Sequence, residues 1–151
     1  MSNQSWETPP DFFKRMDKIF GPFDLDACAT LENTKCSRFI SPEENALIKN
    51  WFGKRIWCNP PYKNVGPWVD KAILESDVSH STIIMLLLAS TDTSWFKTLY
   101  DRACIYLIHG RINFENSESG NPRGSIIAKI DPLSVGVNHP TGVHGFIRAK
   151  I

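Results

Sequence analysis

Ser81-Thr82-Ile83-Ile84-Met85-Leu86-Leu87-Leu88-Ala89 is the stretch that decides the fold. A continuous apolar run rich in isoleucine and leucine belongs to a strand buried on both faces, as in a parallel sheet flanked by helices. Working outward, Trp68, Val69, Ala72, Ile73 and Leu74 recur at helical spacing between the Gly66-Pro67 turn and Ser76. Trp95, Phe96, Leu99 and Tyr100 do the same within Thr93 to Arg102. Arg55-Ile56-Trp57-Cys58 reads as a short strand, ended by Asn59-Pro60-Pro61-Tyr62 because proline cannot donate to a ladder. Further strands are expected at Ala103 to His109, Ser125 to Ile130 and Phe146 to Ala149. Strands alternating with helices predict an α/β fold with right-handed crossovers and a ligand crevice at the strand C-termini.

Near the start, Thr8 and two prolines precede Phe12, Phe13, Met16, Ile19 and Phe20, predicting a Thr-capped helix that ends at Gly21-Pro22. Phe23 to Ala29 alternates apolar and acidic residues and predicts a strand whose end carries a carboxylate into a loop. The stretch onward to Asn50 is irregular, and the Gly/Asn/Pro/Ser-rich segment Asn113 to Ser125 reads as a long loop.

A chain of 151 residues makes one domain, residues 1–151, since compact domains run to roughly 100–200 residues. With 42% hydrophobic and 22% charged residues it carries enough apolar surface for a core and lacks a disordered composition. The longest apolar run, Ile83 to Ala89, is seven residues, far below the roughly 20 that cross a bilayer. No basic-then-apolar leader opens the chain, so membrane and secretory roles are set aside and a cytoplasmic location is expected. Cys28, Cys36, Cys58 and Cys104 form no CxxC pair and lie near no histidine cluster, so no metal site or disulfide framework is expected. Net charge is +1, yet Arg102 to Ile151 holds 6 Lys and Arg against 3 Asp and Glu. That asymmetry permits a nucleic-acid face and is equally compatible with a solvated surface.

The chemistry concentrates at Asn59-Pro60-Pro61-Tyr62, where a strand leaves the sheet. The exocyclic amine of adenine is a poor nucleophile because its lone pair is delocalised into the ring. The Asn59 side-chain oxygen and the Pro60 carbonyl can each accept one amine hydrogen, localising that pair as the nitrogen attacks. Acceptors held in advance of the developing charge are preorganised catalysis. Pro60 and Pro61 stiffen the loop and remove competing N–H donors. Tyr62 offers a face on which a base flipped out of a duplex stacks, a contact of roughly 1–3 kcal/mol. The bland alternative is a tight turn after a strand, since Asn-Pro commonly starts one.

Several segments, in one order across residues 6 to 130, match a known pattern. They include Trp6-Glu7-Thr8-Pro9, Gly21-Pro22-Phe23-Asp24-Leu25-Asp26-Ala27-Cys28-Ala29, and Asn45-Ala46-Leu47 with Trp51. Trp57-Cys58-Asn59-Pro60-Pro61-Tyr62, Trp68-Val69 with Lys71-Ala72, Thr91-Asp92-Thr93 with Trp95-Phe96, and Gly110-Arg111-Ile112 with Phe114 complete the set. In these segments the chain resembles the phage-type DNA N-6-adenine methyltransferases, the phage Dam family.

The resemblance implies a Rossmann-like class I methyltransferase fold, three-layer α/β/α, with S-adenosylmethionine as methyl donor and no metal. By that likeness Thr8, Pro9, Asp26, Ala27 and Cys28 line the donor pocket, with Asp26 meeting the methionine ammonium group, to which a carboxylate is suited. Asn45 corresponds to a donor-adenine contact, with a plain turn role the alternative. Two departures stand out. Asp26-Ala27-Cys28-Ala29-Thr30 replaces the usual Gly-rich turn. The interval from Ala29 to Asn59 is also too short for two further strand-helix units, which predicts a trimmed sheet edge. Glu32 and Glu43 are the candidates for the donor ribose.

Arg111 and Arg123 are candidates for DNA phosphate contacts, with ordinary surface pairing to Glu115 or Glu118 the alternative. Asp92 reads as the cap of the helix starting near Thr93, Trp95 and Phe96 as core, and His109, His139 and His144 as loop histidines. The function expected is methyl transfer to adenine N6 in double-stranded DNA with the adenine flipped out, by a monomer or weak dimer of phage or prophage origin in a bacterial host. The alternatives are a decayed methyltransferase scaffold that only binds DNA, or an enzyme modifying RNA or protein glutamine. Cytosine N4 methylation would more often pair with Ser at the position of Asn59. With little room for a separate recognition domain, readout falls to the loops Asn113 to Gly124 and Val135 to Gly145, predicting relaxed or short-site specificity; the resemblance implies protection of phage or prophage DNA from restriction.

Overall fold

The computed structural model describes residues 6–114, 123–134 and 137–150. The elements in order are α1 (Pro10–Phe20), β1 (Leu25–Asp26), β2 (Arg55–Cys58), α2 (Gly66–Ser79), β3 (Thr82–Leu88), α3 (Ser94–Arg102), β4 (Cys104–His109), β5 (Ser125–Ile130) and β6 (Gly142–Arg148). The strands form one sheet in the order β1-β2-β3-β5-β4-β6. β1, β2 and β3 pair in parallel, β5 runs antiparallel between β3 and β4, and β6 pairs in parallel with β4.

The period-2 alternation along β3 divides the core between the two faces of the sheet. Ile83, Met85 and Leu87 face one layer with Val69 and Ala72 of α2 and Phe96 and Leu99 of α3. Ile84 and Leu86 face the other with Phe12, Phe13, Met16 and Phe20 of α1. Helices thus cover both faces, giving the three-layer, Rossmann-like α/β/α arrangement expected, and β3 is apolar from Ile83 to Leu88 because neither face meets water there. Burial of each such side chain stabilises by about 1.5–3 kcal/mol.

The trimmed edge is also present. β1 is the terminal strand and passes directly to its parallel neighbour β2 through the irregular stretch 27–54, with no helix between. Its ladder is shorter than the Phe23 to Ala29 strand predicted, although Asp24 N–H donates to Arg55 O and Ala27 N–H to Trp57 O at either end. Beyond it, Phe39 makes only an isolated bridge to Asp26.

Other expectations need correction. The sheet is mixed, because β5 is antiparallel. β6 begins at Gly142, earlier than the Phe146 expected, with a bulge against β4 between Val143 and Gly145, where Gly145 takes positive φ. α3 is capped by Thr93, whose hydroxyl accepts from Phe96 N–H at 3.2 Å, and not by Asp92. α1 has Pro9 at its N-cap with no side-chain cap bond, so Thr8 is released for another partner.

Candidate active site

Because β1 and β2 run in parallel, both release their chains at the same edge of the sheet. β1 delivers Asp26 there and β2 delivers Asn59 one residue past its end, where Pro60 stops pairing. The segment before α1 lies across both. Asn59 Nδ2 donates to the Trp6 carbonyl at 2.7 Å and to Thr8 Oγ1 at 3.0 Å. A carbonyl only accepts, so the amide orientation is fixed: the NH2 faces Trp6 and Thr8 and leaves Oδ1 on the other side. There the Tyr62 hydroxyl donates to Oδ1 at 2.8 Å and lies 3.3 Å from Leu86 O. Burial pushes the Tyr62 phenol well above its usual pKa, so it stays a donor.

Tyr62 packs against two aromatic rings. Its ring meets Trp6 at 5.8 Å and Phe114 at 5.9 Å, both T-shaped, and Trp6 and Phe114 lie 5.5 Å apart. Such pairs are worth about 0.5–1.5 kcal/mol beyond their burial.

Asp26 is almost fully buried, and its oxygens accept backbone N–H bonds from Cys28 at 3.3 Å and Lys35 at 3.0 Å. Desolvation outweighs those bonds and raises its carboxyl to about 6. A small hollow of about 30 Å³ joins this carboxylate to Thr8, Cys28 and Asn59, closed by Trp6 and Lys35. Burial, and to a lesser extent the neighbouring Asp26 carboxylate, push the Cys28 thiol up to about 12. Cys28 is therefore a neutral wall at neutral pH.

Thr8, Asp26, Cys28 and Asn59, named as candidate site residues, thus line one hollow. Ala27 is buried in the β1 ladder, and Pro9 lines a separate cleft. Asn45 does not line the hollow; it holds a left-handed turn with φ 57°, its Oδ1 accepting from Leu47 N–H at 3.1 Å. Glu32 and Glu43 are exposed and do not line it either. Trp6, Asn33 and Lys35 were not anticipated as lining residues. Asn33 Oδ1 accepts from Thr30 N–H at 2.7 Å, folding the loop so that Lys35 N–H reaches Asp26, and an Asn three residues past a Thr is a weak signal for that turn. Among the described residues no His/Cys/Asp/Glu cluster could hold a metal, and no helix is long and apolar enough to cross a membrane.

The family model described as DNA N-6-adenine-methyltransferase (Dam) matches residues 1–134. The chain belongs to this Dam family. The DNA N-6-adenine-methyltransferase of Haemophilus phage HP1 (strain HP1c1) is 41% identical over 118 residues, covering 76% of this chain and 68% of that protein. The DNA N-6-adenine-methyltransferase of Escherichia phage T1 is 33% identical over 154 residues, covering 87% of this chain and 64% of that protein. This Dam family chain therefore matches about two thirds of the length of each phage relative. Among solved structures, a predicted O-methyltransferase from Agrobacterium tumefaciens aligns with a TM-score of 0.38 at 16% identity, over 68% of this chain and 44% of that one.

Proposed function

We propose that the chain transfers a methyl group from S-adenosylmethionine to the N6 amine of adenine in DNA. Membership of the Dam family supports the class of reaction, and the fixed amide of Asn59 carries the chemical reading. With Nδ2 held by Trp6 O and Thr8 Oγ1, Oδ1 is oriented before any substrate arrives, which is what a preorganised acceptor requires. Asn59 Oδ1 and the Pro60 carbonyl accept the two amine hydrogens, and Pro60 and Pro61 keep them in register. In the Tyr62 hydroxyl, Oδ1 already has a stand-in donor occupying the place of the substrate N–H. The incoming adenine displaces that hydroxyl and stacks against the Tyr62 ring.

The donor, when bound, supplies a methyl group activated by its sulfonium charge. The residues present fit its methionyl end by charge: a buried carboxylate with no cation of its own beyond Lys35 gains most from an ammonium partner. Thr8 and Cys28 flank Asp26 there, and Pro9 and Ala27 support those two from the chain. The hollow of about 30 Å³ is far smaller than the roughly 300–1,000 Å³ that encloses a drug-sized ligand, so the rest of the donor lies outside it. Adenine in a duplex lies too deep to reach Asn59, which supports a flipped substrate base. Arg111 and Arg123, both exposed, contact DNA phosphates.

Transfer of label from methyl-labelled S-adenosylmethionine to duplex DNA tests the reading. Label in N6-methyladenine that disappears with Asn59→Ala, while donor binding persists, supports it; label that survives the substitution overturns the role of Asn59.

A further inference from the structure

The C-terminal edge of the sheet does not stop at Asn59. β4 and β6 run parallel to β3, because β5 is antiparallel to both β3 and β4. Their ends therefore emerge at the same edge as Asp26 and Asn59, several strands farther along. His109 and Arg148 are register partners at those ends, and Arg111 and Lys150 each follow two residues later. Two adjoining hollows of about 570 and 500 Å³ open there, sharing Arg111, Asn113, Ala149 and Lys150.

α1 closes the larger hollow from the side. Arg15 Nη1 donates to Ala149 O at 3.1 Å, and its guanidinium lies 5.9 Å from the Phe12 ring centroid, so the charge is held at the wall by two contacts. Phe12 and Ile112 give an apolar floor. Among the described residues lining the two hollows stand four basic side chains, Arg15, Arg111, Arg148 and Lys150, against the carboxylate of Asp11. That local surplus exceeds the +1 of the whole chain. The cleft also joins the candidate site by a short path: Phe114, two residues past Ile112, packs on Tyr62.

We propose that this cleft binds the phosphate backbone of the DNA duplex, laying the target strand along the sheet edge so that the flipped adenine reaches Asn59. This rests on the function proposed above and assigns it a docking surface built from α1, the 109–113 turn and the end of β6. Cations on a concave surface attract a polyanion and release its counterions, so each phosphate contact adds about 0.9 to the slope of log affinity against log salt.

The test measures binding of a fluorescent DNA duplex across a salt series for the wild type, Arg111→Gln, Arg148→Gln, Lys150→Gln and their combination. Lys97→Gln, in an exposed pair with Asp101 on α3, is the control. Each single change lowers the slope by about 0.9 and the triple change by nearly three times that, with S-adenosylmethionine affinity and thermal melting unchanged and Lys97→Gln without effect. A triple variant that methylates and binds DNA with the wild-type slope overturns the cleft alone and leaves the methyltransferase reading standing. A wild type with no salt-dependent DNA binding and no methyl transfer overturns both. Preference for duplex RNA with the same slope overturns DNA as the occupant.

Discussion

The Tyr62 hydroxyl donates to the side-chain oxygen of Asn59 at 2.8 Å. An acceptor meant for substrate is thus satisfied inside the protein until substrate replaces the donor, which spares the resting site an unpaired polar atom. Tyr62→Phe removes the hydroxyl and keeps the ring. It is expected to hold kcat within about threefold, whereas Tyr62→Ala, losing the stacking surface, weakens turnover by on the order of 10–100-fold. Steady-state methylation of duplex DNA distinguishes them, and equal damage by both changes would contradict the stacking role.

Asp26 ties donor binding to pH. Desolvation raises its carboxyl from 3.8 to about 6, so between those values the folded chain holds a proton that the unfolded chain has lost. The stability Asp26 contributes is present at the acid end and lost as pH rises through that window. A bound ammonium favours the charged carboxylate, so donor affinity follows the opposite course and falls by about tenfold between pH 7.5 and pH 5. Calorimetric titration at both pH values checks this, with Asp26→Asn expected to bind weakly and without pH dependence.

The cap of α3 separates two adjacent residues. Thr93 accepts from Phe96 N–H while Asp92 is exposed. Thr93→Ala is therefore expected to cost about 1 kcal/mol and Asp92→Ala less than about 0.5 kcal/mol. Urea unfolding of both variants decides it, and the reverse order would restore Asp92 as the cap.

Gly53 faces a different constraint. A Cβ there would stand 2.2 Å from Asp24 Oδ1, and Asp24 Oδ2 is committed to Lys54 N–H at 3.0 Å. Gly53→Ala is expected to destabilise by about 1–3 kcal/mol through overpacking, read as a lower urea midpoint at unchanged slope.

What the sequence revealed follows the range of the interactions involved. The β3 run and the strand ended by Asn59 and Pro60 were legible because burial on two faces and a missing N–H act locally. Asp26 was legible as a carboxylate at a strand end. The antiparallel insertion of β5 was not, since pairing direction depends on partners far along the chain. The start of β6 is not legible, because Gly142 and Gly145 have the composition of a loop while the strand runs through them, with Gly145 at a bulge. Thr8 has the local sequence of a cap because its neighbours fit a helix start, while its partner, Asn59, lies 51 positions away. Lys35 is not legible because it contributes a backbone N–H to Asp26, which residue type does not encode.

Methyl transfer with Asn59 altered tests the central claim most directly. Duplex DNA incubated with methyl-labelled S-adenosylmethionine, then digested to nucleosides, is predicted to carry label in N6-methyladenine. Asn59→Ala is predicted to lower kcat by on the order of 10²–10³ with donor affinity retained. Label in cytosine, in RNA or in protein alone, or an Asn59→Ala variant as fast as wild type, would contradict the account.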